Sequence, residues 1–139
     1  MIIGYTVGTF DLFHIGHLNM LRRARDLCDR LVVGVNSENY IASYKKYSPI
    51  IPLRERIEII KSLKCVDEAF VVYDLKHAEI CKKYGCNVYF IGDDWKGPGH
   101  FAPQEKEILR AGCRIEYLPY TKHISSTKLR ERIKKFEPD

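Results

Sequence analysis

Residues 2–17 read Ile2-Ile3-Gly4-Tyr5-Thr6-Val7-Gly8-Thr9-Phe10-Asp11-Leu12-Phe13-His14-Ile15-Gly16-His17, and this stretch decides the fold. The apolar run 2–7 reads as a buried strand. The segment 16–28 reads as a helix, with Leu18, Leu21, Ala24 and Cys28 at core spacing and Arg22, Arg23 and Arg25 outside. Where one passes into the other stand two imidazoles three residues apart, His14 and His17. A helix N-terminus offers unpaired N–H groups and a partial positive charge, so it attracts phosphate. Gly16 is expected to let a ligand approach the backbone, and the histidines to donate hydrogen bonds to phosphoryl oxygens. A metal site would need further ligands, and Asp11 is the only carboxylate nearby in sequence. Histidines that merely cap a helix are the other alternative.

The same alternation continues outward. Strands are expected at 31–35, 68–72, 88–91 and 115–118. A polar, tyrosine-bearing loop is expected from 36 to about 51. Pro52 suits a first helical turn, and Leu53, Ile57, Ile60 and Lys64 trace one face of the helix that follows. Further helices are expected at 76–84, ending at Gly85, and at 104–111, ending at Gly112. Strand–helix alternation of this kind predicts an α/β, Rossmann-like fold: a parallel five-stranded sheet of order 3-2-1-4-5 with helices on both faces. Ligands then bind beyond the carboxyl ends of the strands, where the strand order reverses. No linker, repeat or low-complexity tract divides residues 1–139, so a single domain is expected.

Composition narrows the classes. Of the 139 residues 45% are hydrophobic and nine are tyrosine, which suits a packed globule. No apolar stretch approaches the roughly 20 residues that span a bilayer, and no secretory signal is visible. Cys28, Cys65, Cys81, Cys86 and Cys113 are odd in number and form no C-x-x-C pair; reduced thiols in a cytoplasmic protein are the simplest reading. The formal charge of +5 suits anionic substrates. Lys128, Arg130, Arg132, Lys134 and Lys135 crowd the C-terminus, with Leu129, Ile133 and Phe136 at helical spacing. A solvated basic face of an amphipathic helix explains them, so neither nucleic acid nor membrane is expected as a partner.

Ile124-Ser125-Ser126-Thr127 places three hydroxyls just before that helix. One would serve as an N-cap; the others suit a polyphosphate. Together with Gly8-Thr9-Phe10-Asp11, His14-Ile15-Gly16-His17 and Gly92-Asp93-Asp94-Trp95, this stretch resembles the small cytidylyltransferases of the HxGH nucleotidyltransferase superfamily, and within them the branch acting on glycerol 3-phosphate. The resemblance covers nearly the whole chain. It implies transfer of CMP from CTP to glycerol 3-phosphate with release of pyrophosphate, by direct in-line displacement. His14, His17 and Lys46 would be catalytic. Gly8, Thr9, Phe10, Gly16, Asp94, Thr121, Ile124, Ser125, Ser126 and Thr127 would hold the nucleotide; Lys45, Lys76 and Trp95 would hold the acceptor. Magnesium carried by the CTP phosphates, with no metal ligand from the protein, and a homodimer are implied as well.

The chain departs from the family pattern in Tyr120, where an arginine is usual, in His123, where glycine is usual, and in Lys64 for another arginine. Tyrosine supplies no permanent charge and no guanidinium fork, so Lys122 or His123 would have to compensate. Three alternatives stay open: a phosphoethanolamine or phosphocholine acceptor, an adenylyltransferase of the same superfamily, and a nucleotide-binding regulatory module.

Overall fold

The computed structural model of the protein describes residues 1–43, 48–74, 76–93, 102–119 and 121–136. Five strands, β1 (Ile3–Gly8), β2 (Arg30–Asn36), β3 (Glu68–Val72), β4 (Val88–Gly92) and β5 (Arg114–Leu118), form one sheet of order β3-β2-β1-β4-β5. Every pairing is parallel, as the strand–helix alternation predicts. The helices are α1 (Ile15–Asp26), α2 (Glu38–Ala42), α3 (Leu53–Lys61), α4 (His77–Tyr84), α5 (Ala102–Arg110) and α6 (Ser126–Lys135).

Side-chain alternation on the strands separates two cores. Leu31, Val33 and Val35 of β2, with Val88 and Phe90 of β4, pack with Leu21 and Ala24 of α1 and Ile60 of α3. Val32, Tyr5, Tyr89 and Ile91 pack on the other face with Cys81 of α4 and Ile108 of α5. Helices thus cover both faces. All five cysteines are free thiols. Among the described residues no helix is long and apolar enough to cross a membrane.

Three expectations are corrected. The segment 36–51 is not all loop: Ser37 accepts from the Tyr40 N–H and caps the short helix α2. The helix begun at Pro52 stops at Lys61, so Lys64 lies beyond its end and is exposed; Leu63 takes the core position instead. On α6 the apolar stripe is largely uncovered, with Ile133 59% and Phe136 72% exposed and no residue of the helix buried.

Two features position the site. Parallel pairing puts the carboxyl ends of all strands, and the loops after them, on one edge. At the switch point the β1–β4 ladder holds only Gly4–Val88 and Tyr5–Tyr89, against six pairs between β1 and β2. Beyond it the Thr6 hydroxyl donates to the Phe90 carbonyl at 2.9 Å, a side-chain bond where a ladder bond would otherwise run. The sheet parts at the edge where β1 delivers the histidine loop.

Candidate active site

His14 is the N-cap of α1. Its Nδ1 accepts from the Gly16 N–H at 3.0 Å, and its own N–H donates to Nδ1 of His17 at 3.1 Å. This is a capping box built from two histidines. Because each Nδ1 accepts a backbone proton, each neutral ring carries its hydrogen on Nε2. The rings stack with centroids 3.9 Å apart, and His17 also packs against Phe13 and Phe10. Burial pulls the His14 pKa below its ordinary value, which keeps the ring neutral at neutral pH. Capping and ligand chemistry, alternatives in the sequence, are compatible here: one ring nitrogen caps and the other is a donor.

Gly16 answers a steric demand within the chain itself. A methyl there would sit 2.8 Å from Cε1 and 3.0 Å from Nδ1 of His14, so the imidazole itself occupies the space. Gly8 likewise lies under the Phe10 ring, 2.9 Å from where its Cβ would be. Phe10 and Leu12 adopt φ of 55° and 49°, left-handed values rare outside glycine. Something must hold this loop.

Two charged residues do so, and the sequence reading gave neither that role. Arg56 of α3 has no exposed side-chain surface. Its Nε donates to the Ile51 carbonyl, and Nη1 donates to the carbonyls of Thr9 and Asn36, each at 2.8 Å. Nη2 pairs with Glu38 at 3.3 Å. The guanidinium therefore ties the ends of β1 and β2 to the entry of α3. Glu38 also accepts from the Leu53 N–H at 2.7 Å, replacing the cap that Pro52 cannot supply. Burial disfavours its charge, but its own N–H, that of Leu53 and Arg56 together hold its carboxyl below the ordinary range.

Asp11 is 1% exposed. Its carboxylate accepts from the N–H groups of Ile50 and Ile51 at 2.9 Å and from Arg130 Nη2 at 2.7 Å. Burial works against its charge, yet those three donors hold its carboxyl below the usual range. The carboxylate that the sequence offers as a metal ligand is engaged in holding loops.

The segment after β5 docks on the same junction. Asn19 of α1 donates to the Thr121 hydroxyl at 3.2 Å, and Arg23 donates to the Pro119 carbonyl at 2.9 Å. Lys122 is exposed, and its carbonyl accepts from Lys128 Nζ. A methyl on Gly16 would lie 3.5 Å from Ile124 Cγ2. Ser125 is the N-cap of α6 and accepts from the Lys128 N–H at 3.0 Å. Ser126 donates its hydroxyl to the Asp11 carbonyl at 2.6 Å, and Thr127 is exposed. The N-termini of α1 and α6 thus meet at one place. Of the three hydroxyls expected at a polyphosphate, one caps its helix and one donates to the main chain.

Lys76 is exposed at the carboxyl edge after β3, two strands from β1. It lines a cleft of about 260 Å³ between α4 and α5 with Glu79 and Glu107. Lys45, Lys46, Asp94, Trp95 and Tyr120 lie outside the described residues.

The chain is similar to known proteins. The family profile described as Cytidylyltransferase-like matches residues 5–132. A glycerol-3-phosphate cytidylyltransferase of Bacillus spizizenii is 34% identical over 128 residues, 91% of this chain and 92% of that protein. An ethanolamine-phosphate cytidylyltransferase of Arabidopsis thaliana is 40% identical over 97 residues, covering 65% of this chain and 22% of that one. Among solved structures, the lipopolysaccharide core biosynthesis protein of Thermoplasma volcanium superposes with a TM-score of 0.72 at 26% identity, over 89% of this chain and 99% of that chain.

Proposed function

Because this chain belongs to the cytidylyltransferase-like family and is a nucleotidyltransferase, we propose that it transfers CMP from CTP to glycerol 3-phosphate. The observation that carries this reading is the double-histidine cap at the parted end of β1, facing the N-terminus of α6. It presents Nε2–H donors beside two helix N-termini, a setting for a polyphosphate. A phosphate oxygen of the acceptor attacks the α-phosphorus of CTP. The new P–O bond forms as the bond to the β-phosphate oxygen breaks, and its electron pair leaves with pyrophosphate. No side chain needs to act as nucleophile; the protein positions two anions and stabilises the charge that moves between them.

In this reading His14 and His17 donate to phosphoryl oxygens from Nε2. Gly8, Thr9, Phe10 and the start of α6 shape the nucleotide site, and Lys45, Lys46 and Lys76 offset acceptor charge. Magnesium would neutralise triphosphate charge. With Asp11 engaged by Ile50, Ile51 and Arg130, the chain fits a cation carried by the nucleotide's own oxygens. A homodimer belongs to the same reading, and sedimentation equilibrium tests it.

The Arabidopsis relative favours a second acceptor, phosphoethanolamine, and the cleft that sets Lys76 beside Glu79 and Glu107 offers charges of both signs. Pyrophosphate release, with CTP and ATP each crossed against glycerol 3-phosphate, phosphoethanolamine and phosphocholine, decides between them. Release with CTP and glycerol 3-phosphate is the expected result; a higher kcat/KM with another pair replaces the substrate assignment. His14→Ala and His17→Ala should each lower kcat by roughly 10²–10³. Near-normal turnover in both would remove the histidines from the mechanism.

A further inference from the structure

We infer that Arg130 is a positioning residue, which together with Ser126 grips Asp11 and so sets where the N-terminus of α6 stands against His14 and His17. The inference rests on the reading of that junction as the phosphate site.

The argument begins with what does not hold α6. A helix normally keeps its place by burying an apolar stripe. Here no residue of the helix is buried, and Ile133 and Phe136 are open to solvent. Leu129 is half-buried.

What does hold it is polar and converges on one residue. Ser126 and Arg130 are four positions apart, so they project from the same face of the helix. Ser126 Oγ donates to the Asp11 main-chain carbonyl at 2.6 Å, and Arg130 Nη2 donates to the Asp11 carboxylate at 2.7 Å. One residue is thus held by both its backbone and its side chain. Asp11 is itself immobile, being 1% exposed and fixed by the N–H groups of Ile50 and Ile51. It lies three residues before His14 in the same loop. Arg130 is 15% exposed, so its ion pair is shielded from the screening that weakens surface pairs. A charge-assisted bond of this length fixes direction as well as distance.

The consequence is geometric. The histidines ride on β1 and α1, which are seated in the core, whereas Ser125, Ser126 and Thr127 ride on α6, which is not. Among the described residues, the polar ties between the two halves run through Asp11, Asn19–Thr121 and Arg23–Pro119. Loosening the grip should displace the α6 half and leave the histidine half in place. Nucleotide binding then suffers more than the chemical step.

The test is steady-state pyrophosphate release by Arg130→Met, with Arg130→Lys and Lys134→Gln alongside. Arg130→Met is expected to raise KM for CTP roughly 10-fold, a typical coupling between sites, with kcat falling less than about 3-fold. Arg130→Lys should recover most of that affinity by restoring the charge. Lys134→Gln removes the same charge from an exposed position of the same helix and should leave KM unchanged. A KM for Arg130→Met within about 2-fold of wild type overturns the inference, as does an equal rise in Lys134→Gln. Should the methionine variant fail to fold, Arg130→Gln keeps a polar side chain without the charge, and the same readings apply. If wild type releases no pyrophosphate from any pair, the proposed function falls. The grip is then read from calorimetric binding of tripolyphosphate: weakened binding in Arg130→Met supports it, and unchanged binding overturns it.

Discussion

The two faces of the sheet solve the burial of polar groups in opposite ways. On the face of α1 and α3, at the carboxyl edge, the interior holds charges: Asp11, Arg56 and, less deeply, Arg130, with half-exposed Glu38 at its rim. Each is matched by an opposite charge, and Asp11, Arg56 and Glu38 by backbone groups as well. On the face of α4 and α5 the polar groups are neutral. Tyr5 Oη lies 3.0 Å from His77 Nδ1, Tyr89 packs edge-on to Tyr5, and Cys81 shares its core cluster with Cys113 and Cys86. Burial pushes the hydroxyls of Tyr5 and Tyr89 up, and the neighbouring thiols of Cys113 and Cys86 together with burial push Cys81 up, so all stay protonated. Burial drives the His77 pKa down to about 4, so that ring stays uncharged. Charge is used where chain segments far apart in sequence must be held at several points; neutral polarity suffices where the task is to pack.

The sharpest break in this comparison should come from Arg56→Met. It leaves the carbonyls of Thr9, Asn36 and Ile51 without their donor and Glu38 without its partner. A loss of about 3–5 kcal/mol in urea unfolding is expected, the scale of leaving three buried or partly buried carbonyls without their donor at about 1–3 kcal/mol each. A loss below about 1 kcal/mol would mean that the loops hold themselves.

Acid should separate the faces in order. His77 binds its proton more weakly folded than unfolded, so its contribution is full above the unfolded value near 6.5 and lost as pH falls towards about 4. That loss is at most about 3 kcal/mol and should disappear in His77→Phe, where the pH dependence across this window flattens. The carboxyls of Asp11 and Glu38 are held below their ordinary range, so their stabilisation persists through that window. It is lost only as pH falls below the unfolded carboxylate values and through the folded ones. Equilibrium unfolding at fixed temperature across pH measures both. A single transition near pH 4, with no slope above it, would contradict the division.

The smallest effect belongs to Tyr5→Phe, which removes a neutral hydrogen bond to His77 and should cost about 1 kcal/mol by urea unfolding. A cost comparable to that of Arg56→Met would erase the distinction between the faces.

Periodicity made most of the fold readable. The strand from Glu68 to Val72 has the expected bounds, and the others differ by one residue at one or both ends. Gly85 and Gly112 terminate their segments with φ of 65° and 84°, as glycine allows. Helix α2 escaped because five residues are too few for a helical period; Ser37 was its one local signal. Arg56 escaped because arginine in an amphipathic helix normally faces water. Yet it sits with Leu53, Ile57 and Ile60 on the core face, and a charge on that stripe was the clue. Asp11 was visible but its partners were not: they lie 39, 40 and 119 residues away, and no local pattern encodes such a meeting. The histidine pair and the hydroxyls before α6 could be read because a helix N-terminus makes local demands on its sequence.

The left-handed backbone at Phe10 and Leu12 carries a last consequence. Each such residue costs on the order of 1–3 kcal/mol of strain, which the surrounding structure must overcome. Glycine at position 10 would relax the backbone, but it would also remove the ring that covers Gly8 and touches His17. The loop therefore reaches its working shape while the chain folds, and an arriving ligand need not supply the energy to bend it. On the proposed reading, part of the site's affinity is held in advance, as a reduction in the stability of the empty protein.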